Sequence, residues 1–105
     1  MISQNDVEKA LMTLESAEDA AFAKAARIKA EHMLKVTKSL IMAENKKLPV
    51  NAQERDALIS PEYAEQIEVL RQAVFNDELQ KSHREAAQAT IDAWRTQEAS
   101  NRITI

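Results

Sequence analysis

Residues 46–63 read KKLPVNAQERDALISPEY, and this stretch holds both prolines of the chain, Pro49 and Pro61. Proline lacks a backbone donor and drives the residue before it toward extended geometry, so Lys46-Lys47-Leu48-Pro49 ends a helix. The two lysines suit the negative pole of a helix C-terminus. Ser60-Pro61-Glu62 then opens another helix, with a serine cap, proline at the first helical position and acid in the first turn. Between these marks, Asn51 and Glu54 have the spacing to cap a short helical turn through Leu58.

On either side of this stretch nothing interrupts helical character. The chain has 105 residues and no glycine, where average usage would supply about seven. Without glycine, backbone positions of positive φ are costly, which disfavours tight hairpin turns and phosphate-cradling loops. Ser3 and Asp6 have capping-box spacing. The expected fold is therefore all-α: a long antiparallel helical hairpin forming a single domain over residues 1–105. One helix spans about 4–45, a loop with a short turn covers 46–60, and a second helix spans about 61–101. The β-branched tail Ile103-Thr104-Ile105 is expected to fray.

The first helix carries apolar residues eleven apart, Leu11, Phe22 and Met33 with Leu14, Ala25 and Val36. That period implies a nearly straight helix rather than a left-handed coiled-coil seam. On the second helix the stripe is Tyr63, Ile67, Leu70, Val74, Leu79, Ala86, Ala89, Ala93 and Trp94. Two helices bury one stripe each, and Phe22, Phe75, Leu79, Ile91 and Trp94 are too many large groups for one partner helix. Self-association into a homo-oligomer, a helical dimer or tetramer, is the expectation.

Chemistry-bearing constellations are sparse. The chain has no cysteine, which removes disulfides, thiol nucleophiles and cysteine-ligated zinc. Di-iron bundles need Glu-x-x-His pairs, but Lys29 precedes His32 by three and Gln80 precedes His83 by three. A hairpin folded about residue 53 would also leave the two histidines out of register. Glu62, Glu65 and Glu68 share a helical face, yet they lie in the first turns, where the macrodipole favours acid. A glycine-free chain has no nucleophile elbow and no glycine-rich phosphate loop. No catalytic residue, metal or cofactor is expected. The N-terminal MISQNDVEKALMTLE has acidic groups and no long apolar run, and no span of about 18 apolar residues occurs. A cytoplasmic protein without membrane association is expected.

Net charge is −3, but its distribution is uneven. Residues 24–47 hold Lys24, Arg27, Lys29, Lys35, Lys38, Lys46 and Lys47 against Glu31 and Glu44, whereas residues 48–80 are acidic. Lys24, Arg27, Lys35 and Lys38 recur on one side of the first helix. Such a row could follow a nucleic-acid backbone by displacing counterions; otherwise it is solvated or paired with the acidic helix, with Arg27 and Lys29 near Asp77 and Glu78. Trp94 is the only tryptophan, and its expected place is against Leu11 and Leu14.

Ser60-Pro61-Glu62-Tyr63 and the run Ala93-Trp94-Arg95-Thr96-Gln97-Glu98-Ala99-Ser100-Asn101-Arg102 together resemble a group of small helical proteins of tailed temperate bacteriophages. In that group a Pro-Glu-Tyr step opens a second helix ending in a Trp-Arg-[Ser/Thr]-Gln run. The likeness covers the second half of the chain, and the first helix only in length and composition. Genes of the group often lie near early recombination functions. The resemblance implies a bacterial host cytoplasm, no catalytic residues, and a role beside a phage or host DNA-processing protein. Trp94, Arg95, Gln97 and Arg102 are the expected partner-binding residues. Lys24, Arg27, Lys35 and Lys38 serve the alternative of direct DNA binding.

Overall fold

Ser3 opens the first helix as its spacing predicts. In the computed structural model, which describes residues 1–104, its hydroxyl accepts from the Asp6 amide at 3.1 Å while its own amide donates to Asp6 Oδ2 at 2.9 Å. Four helices follow in order: α1 (Gln4–Glu15), α2 (Ala17–Glu44), α3 (Val50–Leu58) and α4 (Pro61–Thr104). The protein is all-α with two long helices, α2 and α4, and no strand occurs among the described residues. Nor does any described residue have a positive φ, as a glycine-free chain requires.

The first helix is not continuous over 4–45. Ser16 has ψ 41°, outside the helical well, so α1 ends there. Its hydroxyl donates to the Thr13 carbonyl at 2.6 Å, and its carbonyl receives the Asp19 and Ala20 amides that start α2. Serine competes locally for backbone groups in this way. Glu18 and Asp19 follow in the first turn of α2, a helix-start signature that composition-level reasoning passes over.

The short turn expected near Asn51 is a full helix, α3, but Asn51 does not cap it. Pro49 occupies the cap with extended backbone and no side-chain bond, while Gln53 Nε2 donates back to the Leu48 carbonyl at 2.8 Å. Proline's fixed φ pre-sets the entry without a polar cap. Ser60 behaves as expected: its hydroxyl receives the Tyr63 amide at 3.2 Å and donates to Ala57 at 2.8 Å, joining the end of α3 to the start of α4. Instead of ending near residue 101 with a frayed tail, α4 continues through Ile103 to Thr104; Ile105 lies outside the described residues.

Contacts divide the chain into two units. Unit 1 comprises Met1–Phe22 with the chain from Glu78 onward. Its core is Val7, Ala10, Ala87 and Ile91, with Ile2, Leu14 and Trp94 packed against it. The antiparallel register is marked by Gln97, whose side-chain amide donates to the Ile2 carbonyl at 3.1 Å and accepts the Ile2 amide at 3.2 Å. Arg84 Nη1 donates to the Leu14 carbonyl at 3.2 Å, satisfying an acceptor that the break at Ser16 leaves without a helical partner.

Unit 2 is Ala23–Asp77. Ala23 and Ala30 of α2, Ala57 of α3 and Ala73 of α4 are its buried apolar residues, and Asp77 is buried beside them. Asp77 Oδ2 meets Arg27 Nη1 at 3.2 Å, the pairing that register predicts. Lys38 Nζ reaches Glu54 Oε1 at 2.8 Å and ties α3 to α2.

In both units the inward face of α4 follows alternating steps of three and four. Tyr63, Gln66, Leu70, Ala73 and Asp77 are buried or half-buried in unit 2, and Arg84, Ala87, Ile91, Trp94 and Glu98 in unit 1. That is the spacing of a coiled-coil seam. Of the eleven-residue set on the first helix only Leu14 turns inward, against the core of unit 1; Leu11, Phe22, Ala25, Met33 and Val36 are exposed. Alanine wins the inner positions because its single methyl lets two helices approach closely, whereas Phe22 or Met33 there would hold them apart.

Candidate interaction surfaces

Burying alanine yields little, about 0.8 kcal/mol for one methyl against roughly 1.5–3 for a Leu, Ile, Phe or Met side chain. Among the described residues, six of the eight buried apolar ones are alanine, and no large side chain is fully buried. The large apolar groups lie outside instead. Met12, Phe22, Leu40, Ile59, Phe75 and Ile103 are each more than half exposed. Isolated exposed apolar residues are ordinary. Here alanine is kept inside and phenylalanine outside.

Of the residues in the Trp-Arg-Thr-Gln run, Trp94 is half-buried against the core of unit 1. It does not lie beside Leu11 and Leu14 as expected: the register set by Gln97–Ile2 and Arg84–Leu14 puts Trp94 at the Ile2 end of the cluster and Leu14 at the other. Gln97 is engaged with Ile2. Arg95 and Arg102 are exposed and seven residues apart, so they share one face of α4. The run thus divides into an inward pair that holds α1 and an outward pair of cations.

The basic row divides similarly. Arg27 contacts both Glu31 at 3.4 Å and Asp77 at 3.2 Å, and Lys38 contacts Glu54 at 2.8 Å. The Glu54 hydrogen bond raises the Lys38 ammonium above its ordinary value, and Lys38 lowers the Glu54 carboxyl. Lys24 and Lys35 remain exposed.

His32 is exposed in unit 2 and His83 exposed in unit 1. Among the described residues no group of three or more His, Asp or Glu is placed to hold a metal ion. Glu68 is bound by Arg71, whose guanidinium lowers its carboxyl. Its neighbours Glu62 and Glu65 are exposed. No helix among the described residues is long and apolar enough to cross a membrane.

Two further features escape a reading of the chain by composition. In unit 1 a groove between α1 and α4 is lined by Asp6, Lys9 and Thr13 opposite His83 and Thr90. In unit 2 a groove between α2 and α4 has Lys29 and Met33 on one wall and Gln66 and Val69 on the other, and the same flank is indented farther along, where Leu40 lies beside Glu62. The signal for the second was present: Lys29, Met33, Val36 and Leu40 recur at steps of four, three and four, a second seam beside the alanine one. Searches of protein-family models, curated proteins and solved structures each found no match.

Proposed function

We propose that this chain is a non-enzymatic helical interaction protein of a phage or prophage. It self-associates into a dimer or tetramer and modulates a phage or host DNA-processing protein in recombination. The observation that carries the self-association is the inverted distribution of apolar side chains, with alanine inside and Phe22, Leu40 and Phe75 outside. Association by helical surfaces requires such unsatisfied apolar area. The DNA-processing partner rests on the likeness of the Pro-Glu-Tyr step and the Trp-Arg-Thr-Gln run to the phage group.

Within that run, Arg95 and Arg102 are the residues available to a partner, since Trp94 and Gln97 serve unit 1. The test is affinity purification from infected bacterial cells, scoring protein and nucleic acid together. Arg95→Ala with Arg102→Ala should abolish capture of the DNA-processing protein while helicity is unchanged; undiminished capture counts against the assignment. Recovery of DNA alone, lost on Lys24→Glu with Lys35→Glu, would favour direct DNA binding instead. That alternative is weakened because Arg27 and Lys38 are already engaged by Asp77 and Glu54.

A further inference from the structure

We propose that the open flank of unit 2, formed by Lys29, Met33, Val36 and Leu40 of α2 with Val69 of α4, is covered by a second copy of this chain, packed antiparallel about a two-fold axis near Val36. The assignment rests on the self-association proposed above and names its surface.

The two flanks of α2 differ. On one, Arg27, Glu31 and Lys38 are engaged in ion pairs, and α3 is tied across it through Lys38 and Glu54. On the other, Met33 is 37%, Val36 44%, Leu40 61% and Val69 51% exposed. These residues alternate by three and four, the repeat that lets one helix seat its side chains between those of another.

Charge selects the occupant. Lys29 is the cation of this flank and lies seven residues before Val36. Toward the other end the walls carry Glu44, eight residues beyond Val36, and Glu62, which the Arg27–Asp77 register sets near Ile41. A two-fold axis near Val36 exchanges those two ends, so Lys29 of each copy meets the Glu62 and Glu44 end of the other, twice per dimer. A nucleic acid or an acidic segment would be repelled by Glu44 and Glu62. A basic segment would meet Lys29. An antiparallel copy matches both signs.

The test is sedimentation equilibrium of the intact protein from about 1 to 100 µM, with circular dichroism confirming helicity of each variant. The wild type should dimerise. Leu40→Glu should weaken dimerisation on the order of a thousandfold, because a two-fold interface carries each change twice. Lys29→Glu should weaken it about tenfold by setting like charges together, and Lys29→Glu with Glu62→Lys should restore it. Ile28→Glu, on the far side of α2, should leave it unchanged. If the wild type associates but Leu40→Glu and Lys29→Glu associate equally well, the surface is wrong and self-association stands. A wild type that stays monomeric to 100 µM overturns both and leaves the flank to another chain.

Discussion

Ile91 is the largest buried apolar side chain among the described residues, 5% exposed and clustered with Val7, Ala10 and Ala87, and truncating it tests the core of unit 1. Ile91→Ala removes three carbons, about 2.4 kcal/mol of transfer free energy at roughly 0.8 per carbon. Its neighbours are small and fixed on helices, so they cannot collapse fully into the space, which adds about 1 kcal/mol. Alanine's better helix propensity returns about 0.4 kcal/mol. The expected loss is therefore about 3 kcal/mol, a large share of the roughly 5–15 kcal/mol that holds a domain of this size. Trp94, the sole tryptophan, packs against this cluster and reports on it directly. Urea unfolding followed by Trp94 emission and by circular dichroism should show the loss. Met12→Ala, in the same unit but 69% exposed, should change stability by less than about 0.5 kcal/mol. An Ile91→Ala loss below about 1 kcal/mol, or no difference between the two variants, would refute the proposed core.

Two other outcomes follow from the polar contacts. Arg84→Ala deletes a charged donor to the Leu14 carbonyl and should cost about 1.5 kcal/mol, the half-buried side chain falling at the low end of such bonds; unchanged urea stability would show that water replaces it fully. The Asp6 carboxyl is held below its ordinary 3.8 by the backbone and then the hydroxyl of Ser3, and the Glu54 carboxyl below its ordinary 4.5 by Lys38. Their stabilisation is complete above those ordinary values and is lost as pH falls through the lowered ones. Lys38 is raised above 10.5, so its share is complete below 10.5 and lost as pH rises through the raised value. Amide protection of α3, relative to intrinsic exchange, should fall as pH drops below the ordinary 4.5 of Glu54 and as it rises above the ordinary 10.5 of Lys38. Glu54→Gln should flatten the acid limb for α3, and an unaltered limb would remove this ion pair as its cause.

The interaction surfaces follow from the same economy that builds the fold. A seam of alanines places α2 and α4 close together within unit 2, with Asp77 and Arg27 satisfied across it. The larger side chains Met33, Val36 and Leu40 are thereby turned outward. Trp94 shows the reverse: a residue whose motif suggested recognition serves packing, while its neighbours Arg95 and Arg102 stay exposed.

Much of this was legible in the chain. The capping box at Ser3, the stop before Pro49, the start at Ser60-Pro61 and the Arg27–Asp77 register all follow from local rules and appear as expected. Ser16 was legible too, since serine before Glu18 and Asp19 is a start signal, but the surrounding run of good helix formers masked it. The part of the Trp-Arg-Thr-Gln run that faces inward was not legible, because nothing in Trp94 or Gln97 alone says that α1 and Ile2 will lie opposite them.

Helix itself was decided by the amino-acid sequence alone. Absence of glycine, abundance of good helix formers and the placement of serine and proline act through each residue's own backbone and its near neighbours. Which face of each helix turns inward was decided only by tertiary structure. The eleven-residue apolar stripe is the greasier face of the first helix, yet the alanine face is the buried one. That choice compares two surfaces at once, weighing close approach and paired charges against the bulk of Phe22 and Met33, and no single helix contains both sides of the comparison.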